Sequence, residues 1–543
     1  LQLGFPKLPE SGSDTHFDVI RQWLALCDGT HTCAPGSDPR DQISLPTRLI
    51  DVGAVGSSTV RLVETKDVAI PVDNRVSPFI ALSHPWGPPP HFCTFPDEPN
   101  NPSAKNTLSQ HKIGIQVSAL PATFQDGIRA TRALGKRYLW IDSLCILQGS
   151  RGDFKDEAKK METVFSSAYC VLAASWAANQ QDGFLKTLPG QEKLRAKRDR
   201  QVVTIKADDK AAPLYICEMI DNFDQHVLKG GLNQRAWVLQ ERALARRTVY
   251  FTERQTYWEC GKGVRCETMT QMNNKLASFL GDPFFPSLAL QGNRGEQIHW
   301  YQSLYTQYSR LGLSHDEDRP TAIRGLESRL VTAFQKANPD FSGAYGVLDD
   351  GPTGGLLHRS LLWRRGARKG DLRVLDRIVF PSGHDGAPSW SWMSYRGGVD
   401  FISVEGNTID WRRVTLEPRR KRDSGDGFAY ASPKTLVARA MDFHTEVRER
   451  GDGSVSQLVF DSPGMTAGHT FKCVIVGSEK GEPIGGDEGQ RVHFVLIVKP
   501  AGITERGTGA VRNLRPYRRI GAGSIPGRCI VGLETEGEEV AVV

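Results

Sequence analysis

The sequence lacks the features that mark several large classes of protein. Its apolar runs, such as residues 171–174 and 494–498, are far shorter than the roughly 20 apolar residues of a membrane-spanning helix. No charged segment followed by an apolar core opens the chain, so we expect no signal peptide. There is no GxxxxGK[ST] loop and no GxGxxG between a strand and a helix, which argues against a phosphate-cradling nucleotide switch.

Charge and cysteine content indicate which partners and which cellular compartment to expect. Lys and Arg exceed Asp and Glu by 68 − 62 = 6 residues, a mild and dispersed excess that does not predict a nucleic-acid partner. Ten cysteines are scattered along 543 residues without a disulfide framework, which is typical of a reducing compartment. We therefore expect a soluble, cytoplasmic protein of several domains, with no membrane span.

Strand and helix signals alternate in the most informative part of the chain. The predicted elements are a strand at 79–83, a helix at 120–134, a strand at 138–141, a helix from 153, and a strand at 169–174. This alternation predicts a parallel α/β sheet. A further helix at 235–246 and strands at 248–252 and 256–260 follow.

These patterns divide the chain into four predicted regions. An N-terminal extension occupies 1–75, and the α/β core occupies 76–260. A mainly helical region covers 261–370, and a β-rich region covers 371–543.

Candidate binding residues cluster where the predicted strands end, because ligands of open parallel sheets bind beyond the carboxyl ends of the strands. The first strand leads into Ser83, His84, Trp86 and Gly87. The second leads into Asp142, Ser143, Cys145 and Gln148, and the helix near 235 adds Arg235, Trp237, Gln240 and Glu241.

The same segments resemble a known family. Phe-Ile-Ala-Leu-Ser-His-Pro-Trp-Gly at 79–87, Tyr-Leu-Trp-Ile-Asp-Ser-Leu-Cys-Ile-Leu-Gln at 138–148 and Arg-Ala-Trp-Val-Leu-Gln-Glu-Arg at 235–242 are similar to the motifs of fungal heterokaryon-incompatibility (HET) domains. Phe154 stands where that family usually has Trp, and Ala236 where Gly is common. With Pro-Ser-Trp-Ser-Trp at 388–392, the resemblance extends over roughly residues 20 to 400.

The resemblance implies a cell-death effector in fungal allorecognition, a form of innate immunity. HET domains have been likened to TIR domains, some of which cleave NAD, and Trp237-x-x-x-Glu241 resembles the TIR helix that holds the catalytic glutamate. It therefore implies a TIR-like or flavodoxin-like core and NAD as a substrate rather than a resident cofactor. The alternative is a noncatalytic TIR-like module that self-associates or docks on an allele-specific partner.

These residue types would suit cleavage of the nicotinamide–ribose bond. Its oxocarbenium-like transition state is stabilised by a nearby carboxylate, for which Glu241 is the first candidate and Glu157 the second. We expect the pocket to be lined by the remaining candidates, namely Ser83, Trp86, Gly87, Asp142, Cys145, Gln148, Arg235, Trp237 and Gln240.

Each candidate also has a purely structural interpretation. Glu241 stands beside Arg242 and could form a surface ion pair, while Glu157 could complement a helix dipole. Asp142 could cap the turn after its strand, and Cys145 could be a small buried apolar residue. The tryptophans could belong to the core.

One metal-ligand pattern is incomplete in the sequence. Cys27-x-x-x-His31-x-Cys33 offers three zinc ligands with no fourth nearby, and only the fold could bring in Cys260 or Cys266. We therefore assign no metal from the sequence.

Overall fold

The computed structural model describes most of the chain in two compact units. Described are residues 6–36, 43–70, 77–98, 107–185, 200–206, 213–274, 280–351, 355–372, 374–381, 386–404, 408–411, 415–417, 435–444, 457–462, 471–502, 514–535 and 537–543. The first unit comprises Leu1–Leu288 and Thr321–Leu326, and the second comprises Ala289–Pro320 and Glu327–Val543.

The strands of the first unit are mostly short and buried. They are β1 (Arg48–Asp51), β2 (Thr59–Glu64), β3 (Phe79–Ser83), β4 (Ile115–Gln116), β5 (Tyr138–Ile141), β6 (Val171–Ala173), β7 (Val202–Ile205), β8 (Leu214–Cys217), β9 (Arg247–Phe251), β10 (Thr256–Cys260), β11 (Gly263–Cys266) and β12 (Gln271–Met272).

The helices along the described chain differ widely in length. They are α1 (Asp14–Thr30), α2 (Leu108–Ile113), α3 (Ala122–Ala133), α4 (Asp142–Cys145), α5 (Phe154–Ser167), α6 (Ala236–Leu244), α7 (Ser287–Leu290), α8 (Arg294–Tyr308), α9 (Arg319–Ala322), α10 (Arg324–Gln335) and α11 (Leu356–Leu361). None of the described helices is both long and apolar enough to cross a membrane.

Ten strands of the first unit form one mixed sheet in the order β12-β11-β10-β9-β6-β3-β5-β1-β2-β4. Its centre, β9-β6-β3-β5, is parallel throughout. Taken in chain order, these four strands lie in the spatial order 2-1-3-4, the start of the flavodoxin-like doubly wound order. The predicted parallel α/β centre is therefore confirmed.

The sheet differs from the sequence-based expectation at both edges. β1 pairs antiparallel with β5, and β2 and β4 continue outward from it. On the other side β10 pairs antiparallel with β9, and β11 with β10. The boundaries predicted after residues 75 and 260 thus fall inside one sheet, because strands from both sides of each boundary hydrogen-bond to it.

The central strands form because their sequences are apolar on both faces. Every residue of Phe79–Ser83 and Tyr138–Ile141 is buried, as expected for strands covered on both sides by helices. Between them, α3 begins after Pro121 and is followed by Gly135 with φ +71°, the usual start and stop signals of a helix.

The second unit is β-rich, as predicted for the end of the chain. Its strands are β13 (Ser342–Ala344), β14 (Val347–Asp349), β15 (Trp363–Arg365), β16 (Asp376–Arg377), β17 (Tyr395–Arg396), β18 (Val399–Phe401), β19 (Ile409–Trp411), β20 (Thr415–Glu417), β21 (Thr435–Met441), β22 (Gln457–Phe460), β23 (Lys472–Glu479), β24 (Val492–Pro500), β25 (Arg515–Pro526) and β26 (Glu538–Val542).

Five of these strands close into a barrel. The ring runs β23-β24-β25-β26-β21 and returns to β23, and β25–β26 is its parallel pair. Apolar side chains such as Phe460, Val495 and Ile520 fill its core. The Pro-Ser-Trp-Ser-Trp segment is part of this unit's interior, where Trp390 and Trp392 are fully buried and the Ser391 hydroxyl donates to the Tyr345 carbonyl at 2.6 Å.

Candidate functional site

Helix α6 carries two adjacent charged residues into the interior of the first unit. Eight of its nine residues are buried, including Glu241 and Arg242. Its sequence is dominated by Ala, Leu, Gln, Glu and Arg, which favour helices. Because burying a charge is costly unless it is compensated, the partners of these two side chains determine what each one does.

Arg242 is paired with a buried acid that has further donors of its own. Its guanidinium pairs with the Glu259 carboxylate on β10, the closest approach being Nη2 to Oε2 at 3.1 Å. The Tyr250 hydroxyl donates to the same oxygen at 2.7 Å, and the Asn274 amide donates to Oε1. The alternative of a surface ion pair between Glu241 and Arg242 is therefore wrong, because Arg242 is buried with another acid.

Glu241 has much less compensation. The Ser83 hydroxyl, at the end of β3, donates to its Oε2 at 2.5 Å. No cation forms an ion pair with it among the described residues, and it is only 8% exposed. Burial raises the pKa of Glu241 to about 7, and the negative charge of Asp142 adds to this shift, whereas the Ser83 hydrogen bond and the positive charge of Arg235 oppose it.

Asp142 lies beside this carboxylate, directly after β5. The Trp86 indole N–H donates to its Oδ2 at 2.8 Å, and the Ser143 main-chain N–H donates to Oδ1 at 2.7 Å. Asp142 thus caps its own turn and also contacts Trp86, and its part in ligand binding stays a prediction.

His84 and Arg235 complete the cluster. His84 Nδ1 is 3.7 Å from Asp142 Oδ1, and Arg235 donates to the His84 carbonyl oxygen at 2.9 Å. Burial lowers the pKa of His84, against the opposing effect of Asp142, so this ring is neutral near pH 7. No sequence pattern predicts a partner for His84, because only the fold sets it beside Asp142.

The position of this cluster follows from the topology. Ser83 pairs in register with Ala173 of β6, and the chain leaves β3 toward β5 on one side of this pair and leaves β6 toward β9 on the other. In a doubly wound sheet this switch point is where ligands bind. We call the set Ser83, His84, Trp86, Asp142, Arg235 and Glu241 the switch-point cluster.

Three further predicted residues lie on the same elements in supporting positions. The half-buried Trp237 ring packs edge-on against Phe154 at 6.0 Å between centroids. A side chain at Gly87, where φ is +74°, would overlap Asn179. The Gln240 side-chain oxygen accepts the Gly325 N–H at 2.9 Å, a contact within the first unit.

The remaining predicted residues have their contacts elsewhere. Glu157 accepts from the Thr47 hydroxyl and from Lys160, each at 2.7 Å. Burial raises the pKa of the Cys145 thiol to about 12, which makes it a poor nucleophile. The Gln148 amide donates to the nearby Ile146 carbonyl at 3.0 Å.

The fold brings a fourth possible ligand to the metal-ligand pattern of Cys27, His31 and Cys33. Cys27, His31 and Cys33 come together with Cys260, and their four candidate ligand atoms all lie within 4.8 Å of one another. Cys266 lies apart, with its sulfur 3.0 Å from the Thr268 hydroxyl. The sequence offered Cys260 and Cys266 as alternatives for a fourth ligand and could not choose between them, because Cys260 is 227 positions from Cys33.

The second unit contains a separate cleft of about 430 Å³ between residues 314–317, 376–379 and Arg396. Its charges pair with each other, as Arg396 does with Asp376 at 2.8 Å. It therefore offers no converging, uncompensated group comparable to Glu241.

Chemically, the switch-point cluster concentrates negative charge in a buried place. A carboxylate that titrates near neutrality, with a second acid beside it, favours a ligand or transition state that carries positive charge. Arg235 adds a half-buried cation at the edge, suited to phosphate or carboxylate oxygens.

Comparison with known protein families finds a match for the region that contains this cluster. Residues 79–241 match the family model described as "Heterokaryon incompatibility protein (HET)", so the chain carries a HET domain there. The match covers the centre of the resemblance found from residue 20 to 400 and ends at Glu241. No curated protein and no solved structure matches the chain. The HET domain indicates a role in heterokaryon incompatibility.

Proposed function

We propose that this HET-domain chain is a cell-death effector of fungal nonself recognition that acts by hydrolysing the nicotinamide–ribose bond of NAD. The observation that carries the proposal is the buried position of Glu241 at the switch point of the sheet, where no cation forms an ion pair with it among the described residues. The likeness of HET domains to TIR domains motivates the choice of substrate.

In the proposed reaction, the C–N bond between ribose and nicotinamide breaks. Nicotinamide leaves with the bonding electron pair as a neutral base, so no general acid is needed. The ribose carbon becomes oxocarbenium-like, water adds to it, and one proton is released. Glu241 would stabilise the developing positive charge, and Asp142 would strengthen the negative potential.

The raised pKa of Glu241 fits this role. At about 7, the carboxyl is half protonated near neutral pH in the free protein, which reduces the cost of burying its charge. A cationic nicotinamide ring next to it would favour the ionised form, since an opposite charge lowers the pKa of an acid. Binding of the substrate would thus generate the reactive carboxylate.

The other members of the cluster would position the substrate. The Ser83 hydroxyl holds one oxygen of Glu241, and the Trp86 indole holds one oxygen of Asp142. Arg235 is the cation available for the diphosphate. Glu157 is the weaker candidate for the catalytic acid, because Lys160 already neutralises its carboxylate.

The decisive experiment measures NAD consumption by the purified chain over a wide concentration range, comparing wild type with Glu241→Gln. We expect turnover to fall by about 10²–10³-fold, the usual loss when one electrostatic stabiliser is removed. Glu157→Gln is the matched control, a buried glutamate whose loss should leave turnover unchanged. Turnover that persists in Glu241→Gln and is lost in Glu157→Gln would reverse the assignment.

A second candidate function, the noncatalytic module, is favoured by one specific observation. The hairpin β7–β8, inside the HET region, exposes Val203, Leu214 and Ile216, each 59% accessible. Exposed apolar side chains grouped on a hairpin are typical of an association surface. If Ile216→Lys abolishes self-association of the chain and no concentration of wild type consumes NAD, this second function replaces the first.

A further inference from the structure

We propose that Cys27, His31, Cys33 and Cys260 bind one structural zinc ion that fastens the N-terminal helix to the central sheet. The four residues come from two distant parts of the chain. Cys27 is in the last turn of α1, His31 is the residue that ends this helix, and Cys33 follows in the next loop. Cys260 is the last residue of β10.

The ligand types favour zinc. Three cysteine sulfurs and one histidine nitrogen form a set typical of closed structural zinc sites, in which four protein ligands leave no open position. Soft thiolates disfavour magnesium and calcium, which prefer oxygen ligands.

The geometry of the four residues fits a tetrahedral ion. With Zn–S of about 2.3 Å and Zn–N of about 2.0 Å, tetrahedral ligands lie roughly 3.5–3.8 Å apart. The Cys260 sulfur and His31 Nδ1 are 3.5 Å apart. All four ligand atoms lie within 4.8 Å of one another, so closing on an ion requires shifts of about 1 Å or less.

The surroundings are built to hold sulfur. Cys27, Cys33 and Cys260 are all buried. The main-chain N–H of Gly261 hydrogen-bonds Cys33, and that of Lys262 hydrogen-bonds Cys260, contacts that orient and stabilise metal-bound thiolates. A side chain at Gly261 would come within 2.6 Å of Pro283 and 3.2 Å of the Cys33 sulfur, so glycine is needed next to the cluster.

The position of the site explains why a metal would be useful there. Beside the cluster, Asp28 already connects α1 to the sheet, since it accepts from Arg247 at 2.5 Å and from the Tyr169 hydroxyl at 2.7 Å. A zinc ion would add a second attachment, through Cys260, at the next strand. Because no pre-formed site exists in an unfolded chain, its binding energy would stabilise the fold directly.

The test measures metal content by mass spectrometry, using the full chain produced in zinc-supplemented medium without a polyhistidine tag. We expect about one zinc ion per chain in wild type, and the level of the buffer blank in Cys33→Ser and Cys260→Ser. Cys266→Ser is the matched control, a buried cysteine outside the cluster, and should retain the ion. A wild type at the blank level, or Cys260→Ser that retains full zinc, overturns the proposal.

A second pair of variants keeps the test informative if the serine variants fail to fold. His31→Cys should retain zinc, because four cysteines also form a structural site, whereas His31→Ala should lose it. A chelator should lower the unfolding midpoint of wild type and of Cys266→Ser alike. Disulfide-bonded peptides joining Cys27, Cys33 or Cys260 in the native protein would also overturn the proposal, because bonded sulfurs cannot serve as thiolate ligands.

Discussion

Two buried glutamates of the first unit lie in opposite environments. Glu259 on β10 is surrounded by donors: the Arg242 guanidinium, the Tyr250 hydroxyl and the Asn274 amide. Glu241 on α6 accepts from the Ser83 hydroxyl and forms no ion pair among the described residues, while the charges of Asp142 and Arg235 act on it in opposite directions. The two acids belong to the same folded unit and differ chiefly in their partners.

The difference shows how a buried acid with a structural role can be distinguished from one that is a candidate for catalysis. A buried charge that is paired with an opposite charge has a structural role. Removing one member of the pair leaves the charge of the other member buried without compensation. A buried carboxyl with too few partners instead shifts its pKa toward neutrality, where it can gain or lose charge during a reaction. The neighbours Glu241 and Arg242 illustrate the two cases.

The largest expected effect comes from breaking the structural pair. Arg242→Met should lower the free energy of unfolding by about 3–5 kcal/mol, because the Glu259 charge would remain buried without its cation. Urea unfolding at pH 7 measures this change. The control is Lys159→Ala, which removes an exposed pair with Asp156 and should change stability by less than about 0.5 kcal/mol. Equal effects of the two substitutions would contradict the structural role of the Arg242–Glu259 pair.

A smaller effect of opposite sign is expected for the candidate reactive acid. The pKa of Glu241 is about 7 in the folded protein, above the ordinary value of 4.5. Between these values the folded chain binds more protons, so this group makes stability fall as pH rises from about 4.5 to 7, by about 3 kcal/mol in total.

Glu241→Gln should remove this dependence, so the variant should gain stability relative to wild type between pH 5 and pH 8. Urea unfolding at both pH values tests the expectation. Parallel changes in wild type and variant would show that Glu241 does not titrate in this range.

The smallest effect is expected at the hydroxyl that restrains Glu241. Ser83→Ala should cost about 1 kcal/mol for the lost hydrogen bond and should raise the pKa of Glu241 further, because this bond lowers it. The pH profile of stability, and of any NAD turnover, should shift to higher pH. Thr131→Ala, which removes a buried hydroxyl bonded to the Gly127 carbonyl, should leave the profile in place.

The sequence predicts the centre of the sheet well and its edges poorly. The predicted strands at 79–83, 138–141 and 256–260 coincide with β3, β5 and β10, because continuous apolar runs bounded by turn residues identify strands locally. The pairing of β1 with β5 joins residues about ninety positions apart, and no local pattern carries that information. The predicted four-region division therefore differs from the two units observed.

The same limit applies to the candidate site. The rule that strand ends face ligands selected Ser83, Asp142 and Glu241, and the fold places them together. Neighbouring residues on a helix do not face each other, which already argues against a Glu241–Arg242 pair, but the partner Glu259 lies on a separate strand and could be found only from the fold. Whether the assembled residues bind NAD stays a prediction.

The mixed sheet has a practical consequence for expressing part of the chain. A fragment cut at the limits of the family match, residues 79–241, would keep β3, β5 and β6 but lose β1 on one side and β9 on the other. Both new edges would present unpaired backbone groups along apolar strands, and such edges invite aggregation. The segment that matches the family model is therefore shorter than the segment that must be expressed to keep the sheet whole.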